Sequence, residues 1–201
     1  MIKAVVFDMG GVVLVGKFEL IIQRVSEKLG IDKSILEGLG QDEYEKKALT
    51  GKMSHKEFLE LLKKKAGLHQ SIEQLQSIWK AAYLEVMPVN EGLLEIAKKL
   101  KKKYKVALLS NLNDFHAEIT KERGLFEPFD PCLLSCEVGL AKPDPKIFEL
   151  VLKKMKLLAN ECVFVDDRER HLKPAKEMGF QTILFKNNEQ LVNDLQKLGV
   201  S

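Results

Sequence analysis

From residue 87 to the end of the chain, short apolar runs alternate with longer stretches of helical periodicity, and this alternation constrains the fold. Four runs of strand length follow one another, at residues 105–109, 132–135, 162–165 and 182–185. Helices are predicted at 90–103, up to 123, at 145–157, up to 178 and at 188–198. Strands that alternate with helices form a parallel sheet with helices on both faces. The sequence therefore predicts a three-layer α/β/α fold.

Residues 17–86 contain no apolar run typical of a strand, and their pattern predicts helices throughout. Ser54 with Glu57, and Ser71 with Gln74, have the spacing of capping boxes, which mark helix N-termini. Another apolar run of strand length, at residues 4–7, precedes this stretch and is the first predicted strand of the chain. A helical stretch of this length directly after the first strand indicates an insertion rather than a simple connection between strands. We therefore expect two domains: a core formed by residues 1–15 and 87–201, and a helical cap formed by residues 16–86.

The composition argues against several classes of partner. The 201 residues carry a net charge of +3, which is too small to indicate nucleic-acid binding. No segment approaches the ~20 apolar residues that span a bilayer, and Asp8 interrupts the N-terminal apolar run, unlike in a signal peptide. Cys132, Cys136 and Cys162 form no CxxC pair, which favours buried free thiols in a reducing compartment. We expect a cytoplasmic protein without nucleic-acid or membrane partners, of unknown oligomeric state.

Polar side chains follow the predicted strands where these end: Asp8 after the first, Ser110 and Asn111 after the second, Lys142 in the loop after the third, and Asp166 and Asp167 after the fourth. Ligands of open α/β sheets bind at these carboxyl ends. By itself, Asp8 followed by two glycines fits a turn as well as a site. Three carboxylates that converge are costly unless a cation offsets their charge. Oxygen ligands of this kind suit Mg²⁺.

The four clusters resemble, in order and spacing, the signature motifs of the haloacid dehalogenase-like (HAD) superfamily, at residues 7–12, 109–111, 142–143 and 165–167. Residues 163–179 are most similar to the subgroup typified by the N-terminal phosphatase domain of soluble epoxide hydrolases. The helical insert falls where that subgroup carries its cap domain. The resemblance implies a Rossmann-like core with an inserted cap, and a Mg²⁺-dependent phosphomonoesterase acting on a small phosphorylated metabolite.

The resemblance also implies a catalytic role for the residues at the strand ends. Asp8 would be the nucleophile that attacks the phosphoryl group and forms an aspartyl-phosphate, a covalent strategy that carboxylates use. Lys142 would offset the negative charge of the nucleophile and the phosphate. Ser110 and the backbone at Asn111 would bind the transferring phosphoryl oxygens.

The implied metal site includes a position at which this sequence departs from the family pattern. Mg²⁺ would be bound by a carboxylate oxygen of Asp8, the backbone carbonyl of Gly10 and Asp167, with Asp166 alongside. Phosphatases of this superfamily usually carry a second Asp, two residues after the nucleophile, that protonates the leaving oxygen; here that residue is Gly10. General acid–base catalysis contributes ~10²–10⁴-fold. We therefore expect a phosphatase restricted to leaving groups that depart without a proton, such as those of sugar 1-phosphates, acyl phosphates and aryl phosphates.

Several other residues are candidates for positions near the site. Four titratable residues of the insert are candidates for the missing acid, although we expect all to be solvated: Asp42, Glu43, Glu45 and His55. His116, on the helix after Ser110, is a further candidate. Trp79 and Tyr83 are expected in the core of the cap rather than in a substrate pocket. The six lysines within 98–105 are expected to be the solvated end of a helix rather than an anion-binding surface.

Two other functions stay open at this point. A chain that lacks the acid/base Asp could keep the fold and bind a phosphorylated ligand or protein partner without turnover. A metal-free haloacid dehalogenase is a third hypothesis. The pair Asp166 and Asp167 argues against it, because attack of a carboxylate on a carbon–halogen bond needs no Mg²⁺.

Overall fold

The computed structural model describes residues 1–40 and 43–201. The strands are β1 (Ala4–Phe7), β2 (Lys105–Ser110), β3 (Cys132–Leu134), β4 (Cys162–Asp166) and β5 (Gln181–Leu184). The helices of the insert are α1 (Phe18–Leu29), α2 (Lys33–Gly40), α3 (Glu43–Leu49), α4 (His55–Ala66) and α5 (Ile72–Val86). The helices that follow are α6 (Glu91–Leu100), α7 (Asp114–Glu122), α8 (Ser135–Val138), α9 (Pro145–Met155), α10 (Glu169–Glu177) and α11 (Asn188–Lys197).

The five strands form one parallel sheet in the order β3-β2-β1-β4-β5. Phe7 of β1 is in register with Leu108 of β2 and with Val165 of β4, so Asp8 lies between the ends of both neighbours. The chain runs from β1 towards β3 and then crosses to β4 on the other side of β1. Ligands bind where the strand order reverses in this way. The topology therefore places Asp8 at the expected binding crevice.

Alternate residues of each strand pack on opposite faces of the sheet, as the two-residue period of a strand requires. On one face, Val5 and Phe7 join a cluster that extends through α6, α7 and α11 into the insert. On the other face, Ala4 and Val6 pack with residues of α9 and α10. The predicted three-layer fold is confirmed. Because one apolar cluster joins the core to the insert, the domain boundaries at 15/16 and 86/87 stay a prediction.

The insert is held against α7 by contacts to Asp114, His116 and Thr120 of that helix. The carboxylate of Asp114 accepts hydrogen bonds from the backbone N–H of His55 at 3.0 and 3.1 Å, at the start of α4. Trp79 Nε1 donates to His116 Nε2 at 3.1 Å. The hydroxyls of Tyr83 and Thr120 lie 3.4 Å apart. These contacts fix α4 and α5 relative to the end of β2.

The predicted element boundaries are confirmed to within a few residues, and the differences have local causes. Both capping boxes form, at the starts of α4 and α5. Helix α9 stops at Met155 instead of residue 157, because Lys156 adopts a left-handed conformation with φ of 55°. Strand β3 ends at Leu134, one residue early, because Ser135 begins the short helix α8, which the sequence did not predict.

Three further expectations can be checked against the structure. The three cysteines are free thiols, as predicted, but the expectation that they are buried holds for Cys162 alone, since Cys132 and Cys136 are partly exposed. All six lysines within 98–105 are exposed, which confirms that this run is solvated. Among the described residues, no helix has the length and apolar character needed to cross a membrane.

Candidate active site

A buried lysine joins two carboxylates at the centre of the sheet edge. Lys142 is 3% exposed, and its Nζ lies 2.8 Å from Asp8 Oδ1 and 2.7 Å from Asp166 Oδ2. The loop that carries Lys142 is held by the side chain of Asn111, which donates to the backbone carbonyl of Lys142 and accepts from its N–H, both at 2.8 Å. The structure thus brings together residues that lie far apart in the sequence.

The carboxylate of Asp8 has one bound oxygen and one that faces no partner. Oδ1 accepts from the N–H of Met9 at 2.6 Å and contacts Lys142, whereas Oδ2 has no hydrogen-bond partner in the described part of the chain. Ser110, 1% exposed at the end of β2, also has an Oγ without a partner among the described residues. A buried hydroxyl without a partner is costly. Both atoms are therefore available to a ligand.

The charges of this cluster do not balance. Burial acts to lower the pKa of Lys142, but Asp8 and Asp166 outweigh it and raise that pKa, so the lysine is charged. Burial also acts to raise the pKa of Asp166, yet Lys142 and a bond from His171 hold it well below its usual range. One ammonium thus faces two carboxylates. The excess negative charge falls on Asp8, whose pKa burial raises to about 7 against the opposing effect of Lys142.

Asp167 supplies the observation that tests whether a divalent cation fits. Its Oδ1 is buried and accepts no hydrogen bond within the described chain, and the nearest cation, Arg168 Nε, lies 3.9 Å away, beyond hydrogen-bond distance. Burial and the charge of Asp166 raise the pKa of Asp167. A Cβ added at Gly11, where φ is +77°, would overlap the Asp167 carboxylate, so this carboxylate lies against the loop that follows Asp8. An unpartnered oxygen, an excess of negative charge and an all-oxygen donor set suit Mg²⁺.

A second group of possible ligands is already occupied. Oxygen or nitrogen atoms of Asp8, Asp166 and His171 lie within 4.8 Å of one another. The Lys142 ammonium contacts both carboxylates, and His171 Nδ1 lies 3.1 Å from each oxygen of Asp166. Burial lowers the pKa of His171, and the nearby charge of Lys142 lowers it further. The imidazole is therefore neutral and donates to Asp166. This group is therefore an ion pair with a supporting histidine.

A cavity of about 580 Å³ opens onto Asp8 and Gly10 between the core and the insert. Helices α1 to α5 and α7 supply most of its walls. At Gly10 itself, an added Cβ would meet no atom within 4 Å. The place where the family pattern puts a second Asp is thus open space beside the cavity.

The residues considered as substitutes for the missing acid have different surroundings. Glu45 is exposed and lines the cavity. Asp42 lies outside the described residues, and so does the side chain of Glu43. The expectation that His55 is solvated was wrong: it is 3% exposed and stacks on Phe115, with ring centroids 4.2 Å apart, because α4 packs against α7.

Two histidines stand in the cavity wall, and both are neutral. Burial lowers the pKa of His55 to about 3, and burial together with His55 lowers that of His116 to about 3. His116 also stacks on Tyr83, with centroids 4.5 Å apart. Since Trp79 donates to Nε2 of His116, we assign the ring proton to Nδ1. Neither ring carries the additional proton that an imidazolium acid would donate at neutral pH.

Trp79 and Tyr83 are 2% and 1% exposed, which confirms their predicted place in the core of the insert. The expectation that they lie outside a pocket was wrong, because both line the cavity. Two contacts of the site were missed by sequence reasoning. His171 lies in the first turn of α10, and a histidine four residues after the acidic pair at 166–167 was its only signal. The bonds of the Asn111 side chain to Lys142 had no signal, because they join loops 31 residues apart.

Fold and site together define a hydrolase with a parallel α/β core, an acidic centre and a helical insert. A family model described as haloacid dehalogenase-like hydrolase matches residues 2–179. The chain belongs to the haloacid dehalogenase-like (HAD) hydrolases, as its motifs indicate.

Three similar proteins illustrate the relationship. A D-ribitol-5-phosphate phosphatase from Bacteroides thetaiotaomicron is 32% identical over 93% of both chains. The bifunctional epoxide hydrolase 2 of Sus scrofa is 30% identical over 98% of this chain, which spans only 39% of that relative's length. A HAD family enzyme from Bacteroides thetaiotaomicron, solved with magnesium and inorganic phosphate, superposes with a TM-score of 0.81 at 27% identity, covering 92% of this chain and 95% of its own.

Proposed function

We propose that the protein is a Mg²⁺-dependent phosphomonoesterase that acts on a small phosphorylated metabolite through a phosphorylated Asp8. The observation that carries the proposal is the state of the Asp8 carboxylate. One oxygen is fixed by the Met9 N–H and Lys142, and the other faces no described partner beside an open cavity. A carboxylate oriented in this way is positioned to act as a nucleophile. Phosphatases among the relatives support the same reaction class.

In the first step, Asp8 Oδ2 attacks phosphorus, a new P–O bond forms, and the bond to the leaving oxygen breaks. Lys142 stays charged and offsets the negative charge that builds up between Asp8 and the phosphoryl group. The unpartnered hydroxyl of Ser110 and the backbone at Asn111 would donate to phosphoryl oxygens. In the second step, water attacks phosphorus, which releases inorganic phosphate and restores the Asp8 carboxylate.

The residues that would hold Mg²⁺ are Asp8, the carbonyl of Gly10 and Asp167, with Asp166 alongside as the partner of Lys142. When bound, the ion would neutralise part of the charge on the phosphoryl oxygens. The buried, unpartnered Oδ1 of Asp167 and the surplus of negative charge support this assignment. Asn111 is a positioning residue, since its side chain is fully engaged with the backbone of Lys142.

Gly10 limits the reaction to leaving groups that need little protonation. The position carries no side chain, and the two histidines in the cavity wall are neutral. Loss of an acid–base catalyst costs ~10²–10⁴-fold. An aryl oxide or a carboxylate departs as an anion more readily than an alkoxide, because the parent acid has a lower pKa. We therefore expect aryl and acyl phosphates to be hydrolysed faster than alkyl phosphates.

The test is a phosphatase screen with and without Mg²⁺ on the native chain and on Asp8→Asn. Loss of a catalytic nucleophile typically costs several orders of magnitude, and we expect a fall of ~10³-fold or more. Asp130→Asn, a change of the same chemistry at an exposed residue outside the site, serves as the control. Activity that survives in Asp8→Asn would contradict the mechanism.

The second candidate function is binding of a phosphorylated ligand or protein partner without turnover. Gly10 is the observation that favours it, because the acid/base group is absent. The two functions separate cleanly: if no ester or acyl phosphate is hydrolysed while inorganic phosphate still binds with Mg²⁺, the binding function replaces the enzymatic one.

A further inference from the structure

The inner part of the cavity presents aromatic and aliphatic surface. Phe58, Trp79 and Tyr83 line it together with aliphatic residues of α1 and α2, such as Ile21 and Leu36. The charged residues of the lining lie elsewhere. Apart from Asp8 and His171 of the candidate active site, the described lining has five charged residues, all exposed to water: Glu19, Glu37, Glu45, Arg168 and Arg170. The cavity thus has a charged mouth and an apolar interior.

The polar atoms of the interior aromatic residues are already used within the protein. Trp79 Nε1 donates to His116 Nε2, and the hydroxyl of Tyr83 faces that of Thr120. The side chain of Asn113 is the N-cap of α7, where it accepts from the N–H of His116 at 2.8 Å. The rings of Trp79 and Tyr83 therefore offer the cavity carbon surface rather than hydrogen-bond partners.

This interior is unfavourable for a leaving group with many hydroxyls. A hydroxyl that is buried without a hydrogen-bond partner weakens binding. Within the described lining of the interior, the imidazoles of His55 and His116 are the polar groups, and the side chains of Asn111 and Asn113 already bond to backbone groups. This leaves few hydrogen-bond partners for a polyol. An aromatic leaving group buries ~150–250 Å² of its own surface without such a requirement. A volume of about 580 Å³ is sufficient for one or two rings.

Phe18 lies where the cavity lining reaches the protein surface. It lies in the first turn of α1, lines the cavity and is 39% exposed, and its ring centroid lies 6.3 Å from that of His116 in an edge-to-face arrangement. A large apolar ring exposed at the entrance of a cavity is available to stack on a ligand. Because Phe18 is only partly buried, its removal perturbs the fold little.

We infer that the cavity selects phosphate monoesters of compact aromatic alcohols, and that Phe18 is a specificity-determining residue for them. The inference rests on the proposed phosphatase function and names its substrate class. Two independent observations agree: the aromatic interior accepts such a group, and the absent acid at Gly10 favours an aryl oxide as leaving group. Attack of Asp8 breaks the bond between phosphorus and the aryl oxygen. The departing aryl oxide then takes a proton from water.

Four substrates separate the effect of the cavity from that of leaving-group acidity. Two substrates have an aromatic leaving group: that of 1-naphthyl phosphate has an acidic parent alcohol, and that of 3-phenylpropyl phosphate has a weakly acidic one. Two have no aromatic ring: acetyl phosphate releases the anion of a small acid, and ribitol 5-phosphate releases the alkoxide of a weakly acidic alcohol. We expect the highest kcat/KM for 1-naphthyl phosphate and the lowest for ribitol 5-phosphate. Because 3-phenylpropyl phosphate and ribitol 5-phosphate both release an alkoxide, their comparison isolates the cavity, and an equal or greater kcat/KM for ribitol 5-phosphate would overturn the inference.

Phe18→Ala then tests the residue assignment. A lost apolar contact in a substrate pocket changes discrimination by roughly tenfold, so we expect kcat/KM to fall by about that factor for both aromatic substrates. For acetyl phosphate it should stay within about twofold. Leu20→Ala is the matched control: Leu20 is 44% exposed on the same helix and does not line the cavity. An equal effect of Phe18→Ala on aromatic and small substrates would contradict the assignment.

Failure of the proposed function gives a different result from failure of this inference. If the native chain hydrolyses none of the four substrates, the proposed phosphatase is wrong. The cavity is then tested by calorimetry, with 1-naphthyl phosphate and ribitol 5-phosphate as ligands. Tighter binding of 1-naphthyl phosphate, reduced by Phe18→Ala, supports the inference, and equal binding of both overturns it.

Discussion

The neutral His116 in the cavity wall makes the stability of this protein depend on pH in a way that one substitution can isolate. Burial together with His55 lowers the pKa of His116 from 6.5 to about 3. In the unfolded chain the ring is protonated as the pH falls below about 6.5, whereas in the folded protein it stays neutral. The unfolded state therefore binds more protons in this range, and the free energy of unfolding falls as the pH is lowered.

The size of the effect follows from these two pKa values. Between pH 8 and pH 5, linkage of one group with pKa values of 6.5 and about 3 removes about 2 kcal/mol from the free energy of unfolding. That is a large part of the 5–15 kcal/mol typical of a domain. His116→Gln keeps an acceptor for Trp79 but cannot titrate. We expect this variant to lose about 2 kcal/mol less than the native chain between the two pH values.

The assay is urea unfolding of both proteins at pH 8 and at pH 5, followed by circular dichroism. The double difference cancels all groups that titrate identically in the two proteins, including Asp8 with its raised pKa. The variant also loses the stacking of His116 on Tyr83, which lowers its stability equally at both pH values. His69→Gln, at an exposed position of the insert, is the control. Identical pH dependence of native protein and His116→Gln would refute the reasoning.

The remaining predictions concern the site. Gly10→Asp, for which the structure has open space, is expected to raise kcat on alkyl phosphates by ~10²–10⁴-fold. The kcat on aryl phosphates should change much less. No gain in a folded variant would show that more than the acid is missing. Lys142→Met should lower kcat by ~10²-fold or more, measured on an aryl phosphate, and a variant that keeps native kcat contradicts charge neutralisation. Asn111→Ala should lower kcat with little change in KM, because the loop that carries Lys142 loses two hydrogen bonds. Mg²⁺ at ~100 times its Kd should stabilise the native fold by about 2.7 kcal/mol, seen as a higher Tm, and Asp167→Asn should abolish that shift.

The sequence was sufficient to predict the positions of those residues of the candidate site that lie at strand ends. Asp8, Ser110 and Asp166 each follow or end an apolar run, and parallel strands bring such ends to one edge by their geometry alone. Lys142 was predicted from its motif in the loop after β3. The fold followed in the same way, because five strands with helices between them have few arrangements.

What the sequence could not supply depends on contacts between distant elements. His55 was expected to be solvated, yet it is buried against α7, where its backbone N–H donates to Asp114, 59 positions further along the chain. The apolar interior of the cavity was missed for the same reason, since helical spacing of Trp79 and Tyr83 shows that they share a face but not what that face meets. The bonds of Asn111 to Lys142 depend on the conformations of two loops.

The attachment of the insert to α7 has a consequence for the order in which the protein is assembled. The bonds that hold α4 and α5 in place join residues 37 to 59 positions apart, and the later partner always lies in α7. During synthesis, helices α1 to α5 emerge before the surface that covers their aromatic residues. Trp79 and Tyr83 then lack their partners His116 and Thr120 until residues 114–120 have left the ribosome. The same helix that lines the finished cavity therefore ends the interval in which the nascent chain is most prone to aggregate.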